Sequence, residues 1–476
     1  MNEKYLIGID EGSQSAKITI FDTTGHIICE GKHPLRPYNL PKSGYVEHPD
    51  DDWWTAICEA SKKCMAKFHG DTSEIAGIGL CTIRYCRAYL KKDGTLAQPA
   101  LSWMDVRVSQ PYEHTNKDIA YIVGSSGYIT HRLTGEKRDS ISIYEGGWPV
   151  DVDNWKLSDD PAAYKATGIP REMLFDLVMP GEILGYITPE AAASTNLPQG
   201  LPVVATANDK AVEGLGTGCI GSDTACVSLG TYTAAMIEGY ENVKDTKYYW
   251  PKFSSIPNRY LYDSDGIRRG MWTVSWFRDV LGEGYAKLAA DKEMSPEEML
   301  ADEAVNVPVG SDGLMTVLNW LAPVDARYRK GIMIGFDGRH KRAHIYRSIL
   351  EGIAMTMRRH VFNMAEELGT TLDKIIITGG GSSSDLLMQI FADVFNIKTV
   401  RNEVNGAAGL GSAICAAVAT GIYPDFDSAI KGMVRFSDTF TPDPEAHSIY
   451  SKMLPIYESI EAANEDVLKK SYEIFE

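Results

Sequence analysis

The chain has 476 residues, with 47 Lys and Arg against 64 Asp and Glu and a net charge of −17. At about 100–200 residues per domain this length makes two to four domains. A content of 44% hydrophobic and 23% charged residues is that of a globular protein, so wholesale disorder is excluded. So is the broad basic face that nucleic acid requires of a partner. The eight cysteines form no CxxC pair and meet no histidine at zinc-ligand spacing, which fits small buried side chains in a reducing compartment. Residues 1–5 carry no basic stretch leading into an apolar one, so no secretory leader is expected. The uncharged run from Gly406 to Pro424 is built from Ala and Gly rather than Leu, Ile and Phe. It reads as a close-packed interior helix and not as a membrane span. The expected setting is cytoplasmic, with neither nucleic acid nor membrane as partner.

In chain order, Tyr5–Asp10 is an apolar run of strand length, Glu11–Ser15 a polar glycine turn, and Ala16–Asp22 a second strand. Ile27–Glu30 extends this meander after the Thr24-Gly25 turn. Residues 51–68 place Trp53, Trp54, Ile57, Cys58, Met65 and Phe68 at helical spacing, and Ile75–Leu80 is a buried strand. Strands alternating with helices predict an α/β architecture. A strand at Val203–Ala207 ends on Asn208-Asp209-Lys210. Then Ala225–Leu229, Gly230–Tyr232 and Thr233–Met236 repeat the opening device of strand, glycine–hydroxyl turn and strand. Two such heads predict two domains, 1–217 and 218–476, divided near Gly218. In the second half the pattern gives a long helix over 343–363, a strand at Lys374–Thr378, the turn Gly379–Ser384, and a helix over Asp385–Phe395.

The turn Gly12-Ser13-Gln14-Ser15 lets backbone N–H groups approach an anion, and Ser13 and Ser15 add hydroxyls. Asp10 at the strand end suits Mg²⁺, directly or through water, and Lys17 adds positive charge beside a phosphate. A hairpin without a ligand is the competing reading. The second turn, Gly230-Thr231, carries the same two readings, but together the pair suits the two sides of a polyphosphate. The Gly379-Gly380-Gly381 turn is neither a P-loop nor a GxGxxG fingerprint. It reads either as close packing or as a platform for adenosine, with Ser384 and Asp385 near the base. Asp209 at a strand end is a candidate general base, or alternatively a helix cap. Arg84, Tyr85, Trp103 and Asp105 follow apolar strands, where a polyol site collects polar and aromatic groups; buried Trp and surface ion pairs are the alternative.

Together these segments resemble the FGGY carbohydrate kinases, a branch of the actin-like ATPase superfamily that includes xylulokinase and glycerol kinase. The resemblance covers nearly the whole chain. It runs through Gly8–Lys17, Gly44–Pro49 with Asp52-Trp53-Trp54, Trp103–Arg107, Asn208-Asp209-Lys210, Ser228–Thr231, Gly335–Gly352 and Gly379–Gly381. The overall pattern is closest to an uncharacterised bacterial sugar-kinase subgroup. The resemblance implies two ribonuclease-H-like domains around a cleft and ATP-dependent phosphorylation of a sugar, polyol or sugar-acid hydroxyl. By the same analogy Asp209 is the base and Asp10 supports Mg²⁺. Gly12, Ser13, Gln14, Lys17, Gly230 and Thr231 hold phosphates, and Gly380, Gly381, Ser384 and Asp385 flank adenosine. Arg84, Tyr85, Trp103, Asp105, Asp209 and Lys210 line or support the substrate pocket. A homodimer is compatible with the resemblance. An ATP-driven switch or a sugar sensor on the same fold is the alternative function.

Three departures fall around the sugar pocket. Cys81–Cys86 stands where xylulokinases carry SGQMHG, Lys210 replaces the usual Gln or Asn, and the segment from Arg107 to Leu133 is shortened. The substrate is therefore not fixed by the resemblance. Arg84 and Lys210 raise the further expectation of an acidic sugar such as an aldonate, since Arg grips carboxylates bidentately. Pairing of either residue with Asp105 or a backbone carbonyl is the alternative.

Overall fold

The computed structural model describes residues 5–323, 326–404 and 406–475. Most of the segment read for a leader, residues 1–4, lies outside them. Tyr5–Glu11 (β1) and Ser15–Asp22 (β2) form the expected hairpin, and Ile27–Pro34 (β3) adds a third antiparallel strand. The helix Asp52–Met65 (α1) buries Trp53, Trp54, Ile57 and Cys64 against this meander. Ile75–Thr82 (β4), Ile183–Tyr186 (β5) and Pro202–Asn208 (β6) complete a six-stranded sheet ordered β5-β6-β4-β1-β2-β3. β4 lies parallel to both β1 and β6, so the C-terminal ends of these three strands share one edge. The helix Asp209–Thr217 (α2) leaves directly from that edge.

The second half repeats the plan. Thr224–Leu229 (β7) and Thr233–Gly239 (β8) form a hairpin, followed by Tyr249–Phe253 (β9) and Tyr260–Ser264 (β10). Helices Gly270–Val280 (α3) and Arg342–Leu368 (α4) precede Lys374–Thr378 (β11). Asp385–Phe395 (α5), Lys398–Asn402 (β12), Ala407–Ala419 (α6), Phe436–Phe440 (β13) and Pro444–Phe475 (α7) complete it. The sheet order is β9-β10-β8-β7-β11-β12-β13. Taken from β10 to β13, each neighbour pair has the same sense as its counterpart from β3 to β5: two antiparallel pairs, two parallel, one antiparallel. The strand β9 is the addition at the edge.

Helices cross between the halves in both directions: α2 reaches the second sheet through Lys210 and Thr217, and α6 reaches the first. α6, the uncharged Ala-Gly helix, is buried along Ala413–Ala417 and lies against α2 and the first sheet. Glycine makes this approach possible. A methyl group on Gly8 of β1 would overlap the carbonyl of Gly409, and one on Gly216 of α2 would overlap that of Ala407. Among the described residues no helix is long and apolar enough to cross a membrane.

Candidate active site

The parallel strands of both sheets deliver their chemistry at their C-terminal ends, the edge where open α/β sheets bind ligands. On the first sheet these ends carry Asp10, the segment Ile83–Tyr85 and Asp209. Asn208 caps α2, its side chain accepting from the N–H groups of Lys210 and Ala211 at 3.1 Å each. The capping task falls to Asn208, and the Asp209 carboxylate is left to face the cleft. Its Oδ1 is buried without a hydrogen-bond partner and lies 3.9 Å from Arg84 Nε.

Asp10 sits opposite Lys17 in the hairpin register, and Lys17 Nζ is 2.7 Å from Glu30. Burial, then the charges of Asp209 and Glu213, push the Asp10 carboxyl up to about 6 against the opposing pull of Lys17 and Lys210. Glu11, next in the strand, is fully buried with both carboxylate oxygens unpartnered, and burial raises it well above the usual range. Gly12 and Ser13 lie in the hairpin turn at the mouth, with Gln14 exposed; Gly12 N–H bonds Ser15 O at 3.1 Å, and Tyr38 Oη donates to Ser13 O. The facing turn of the second sheet presents Gly230 and an exposed Thr231.

Lys210 is held between the halves. Its Nζ bonds Glu213 at 2.8 Å and Ser228 Oγ at 2.9 Å, and Ser228 Oγ donates to Glu213 at 2.8 Å. This triangle ties α2 to β7, so the expected pairing of Lys210 with Asp105 or a backbone carbonyl is replaced by Glu213 and Ser228. Glu213 was not expected; its signal is the Lys210–Glu213 spacing of three on a helix.

Arg84 also spans the cleft. Nη2 bonds Asp263 of β10 at 2.9 Å, Nε faces Asp209, and the buried Nη1 has no partner. Tyr85, with φ of 61°, is held in the left-handed region that a bulky residue rarely adopts, with Arg84 5.3 Å from its ring centre. Tyr85, Arg87, the half-exposed Trp103 and Trp148 line a cavity of about 370 Å³. Arg87 anchors its wall through Nη2 to Val108 O at 3.1 Å, and its buried Nε is free. Glu145 accepts from Phe253 N–H at 2.6 Å, leaves Oε2 unbonded, and is raised to about 7 by burial against the pull of Lys252 and Arg84.

Asp105 is different. Its oxygens take Val46 N–H at 2.7 Å and three bonds from Arg107, which also reaches Glu47 at 2.7 Å. Both oxygens being engaged, Asp105 supports the wall rather than binding substrate. The glycine turn after β11 shows the close packing that was one of its two readings. Gly379 and Gly381 pack on Leu229, and Gly381 also on Met271, whereas nothing stands over Gly380. Ser384 Oγ accepts from Leu387 N–H as the cap of α5, and Asp385 is paired with Arg401 at 2.8 Å.

Models of the FGGY family of carbohydrate kinases match this chain: the N-terminal domain over residues 5–120 and 108–216, the C-terminal domain over 225–420. The chain belongs to the FGGY carbohydrate kinases. Its curated relatives include the uncharacterised sugar kinase YgcE of Escherichia coli, 51% identical over 100% of this chain and 96% of that one. A xylulose kinase of Lactococcus lactis is 24% identical over 96% of each. Among solved structures, a xylulose kinase from Rhodospirillum rubrum matches with a TM-score of 0.83 at 22% identity, covering 98% of this chain and 100% of that one. This FGGY kinase therefore has the two-domain actin-like fold, and the cleft just described lies between its domains.

Proposed function

We propose that this kinase transfers the γ-phosphoryl group of ATP to a hydroxyl of a neutral sugar or polyol held in the Tyr85–Trp148 cavity. The observation that carries this reading is a set of four buried polar atoms without partners: Arg87 Nε on a residue that lines the cavity, Arg84 Nη1 and Glu145 Oε2 on the chain neighbours of its lining residues Tyr85 and Gly146, and Asp209 Oδ1, 3.9 Å from Arg84 Nε. Unpaired buried groups are rare in folded proteins, and a polyhydroxy ligand supplies both donors and acceptors to them. The aromatic rings of Tyr85, Trp103 and Trp148 offer the apolar faces such a ligand needs.

Asp209 takes the proton from the attacking hydroxyl, with Arg84 orienting its carboxylate. The turns at Gly12–Gln14 and Gly230-Thr231 grip the phosphates from the two sides, and the open face of Gly380 receives the nucleoside. A crystal structure of a Plasmodium falciparum glycerol kinase with ADP shares the fold, which supports the nucleotide assignment. The surplus of acid at Asp10, Asp209 and Glu213 fits a divalent cation, and Mg²⁺ typically keeps several waters and takes only one or two carboxylates. Asp10 would hold it, largely through water. When bound, Mg²⁺ neutralises phosphate charge during an in-line transfer that otherwise depends on positioning. The cytoplasm, where ATP is abundant and thiols stay reduced, suits the eight buried free cysteines.

The acidic-sugar expectation loses its premises. Lys210 is engaged by Glu213 and Ser228, Arg84 by Asp263 and Asp209, and Lys252 is balanced by buried Glu145. A substrate carboxylate would add one more acid to a site already rich in them. A coupled ADP-release screen with Mg-ATP across ketoses, aldoses, polyols and aldonates tests the proposal, with Asp209→Ala as blank. A neutral substrate should turn over, and the variant should lose at least about 10²-fold in kcat while still binding Mg-ADP. A flat screen, an aldonate as sole hit, or near-normal turnover of the variant would contradict it.

A further inference from the structure

A second large cavity, about 630 Å³, lies on the far side of Tyr232 from the Arg84–Asp209 cluster. It is walled by the Asp265–Arg268 loop, the segment after Val317, and the middles of α4 and α7. It is not the nucleoside site. Met271 faces Gly381 from one side of α3, whereas Trp276, five residues on, leans on Trp320 (ring centres 5.0 Å apart), which sits between the cavity-lining Asn319 and Leu321.

Its chemistry is cationic within an acidic protein. Arg268, Arg329, Arg359 and His360 all face it. Arg268 gives one nitrogen to Ala322 O at 2.6 Å. Among the described residues the Arg329 and Arg359 side chains make no hydrogen bond or ion pair; Arg329 meets Glu465 only at longer range. Burial, then the adjacent Arg359, push His360 down to about 4, against the pull of Asp265, so its ring is neutral and remains a hydrogen-bonding group. Among the described residues the acids lining it are Asp265 and Glu461, and Glu461 already accepts from Asn319. Unpaired guanidinium groups converging on one cavity are the arrangement that phosphate oxygens satisfy bidentately.

We propose that this cavity is a second ligand site, binding a small phosphate-bearing polyanion through Arg268, Arg329 and Arg359, separate from the catalytic cleft. Tyr232 joins the two, since it follows Thr231 in the second phosphate turn and its ring packs on Gly266 at the cavity rim. Occupancy of the cavity then acts on the turn that grips ATP.

Isothermal titration of inorganic pyrophosphate into the full-length Asp209→Ala protein, with the nucleotide site saturated by ADP, tests the site without requiring turnover. Binding should persist under ADP and weaken at least about 10-fold in Arg359→Gln and in Arg329→Gln, each of which should still bind ADP. Arg329 lies on a loop outside the core, so its variant keeps the test valid if Arg359→Gln fails to fold. Loss of binding when ADP is present would assign the heat to the phosphate turns and overturn the proposal. No binding, or equal binding by both variants and the parent, would do the same. Citrate binding as tightly as pyrophosphate would overturn the phosphate assignment in favour of a carboxylate ligand.

Discussion

At Asp10 the effects of burial and charge add: withdrawal from water and the nearby Asp209 and Glu213 oppose ionisation more than Lys17 and Lys210 favour it. Its carboxyl is raised from 3.8 to about 6 in the folded protein. A raised acid binds its proton in the folded state before the unfolded one does. Its share of stability is therefore gained as pH falls from about 6 towards about 4, and above pH 6 its charge is a standing cost of on the order of 1–3 kcal/mol. Asp10→Asn removes that cost. The ligand-free variant should melt above the parent at pH 8, with the gap closing by pH 5, while kcat falls because the cation loses its anchor. Melting curves at the two pH values check this; a gap that is constant with pH would show that Asp10 is not strained by charge.

At the scale of elements, the pair Arg84–Asp263 matters because β4 and β10 belong to different sheets. Asp263 holds one end of the guanidinium, so Nε rather than the whole fork faces Asp209. In Asp263→Ala the guanidinium is free to turn and the proposed orientation of Asp209 is lost. We expect kcat to fall about 10-fold, with KM for ATP nearly unchanged. A change confined to the KM for ATP would sink this reading. Asp263 also shows what a sequence withholds. The hairpins, the helix over Asp385–Phe395 and the glycine turns were legible because periodicity and turn chemistry are local. Asp209 had two readings in the sequence, base or helix cap, and only the structure shows that Asn208 takes the cap. Asp263, Glu145 and Lys252 meet only through the crossing of two sheets, and no spacing along the chain records that. The partners of Lys210 divide in the same way: Glu213 is local, three residues on along the helix, whereas Ser228 comes from a strand beyond the boundary.

On the scale of the whole molecule, the two sheets are copies in strand order, and the helices that follow their last parallel strands are exchanged: α6 packs on the first sheet, while Ala211 and Val212 of α2 cluster with Cys226, Met236 and Leu261 of the second. α2 begins with Asp209, and β1 ends near Asp10. α6 touches both elements, through Ala407 against Gly216 and Gly409 against Gly8. The separation of Asp209 from Asp10, the base and cation anchor of the proposed mechanism, is thus set by how closely three backbones approach, which only glycine permits. A methyl group at Gly216 has rigid backbone in front of it rather than a side chain that can turn aside. The helices must part, and overpacking of this kind typically costs about 1–3 kcal/mol. Gly216→Ala should therefore lower Tm by several degrees and reduce kcat more than it raises the KM for sugar, because the cavity lies on other elements. Calorimetry and steady-state kinetics on the same preparation separate the two effects. An unchanged Tm would mean that α2 and α6 slide freely, and the contact would then be a bearing for domain closure rather than a fixed spacer.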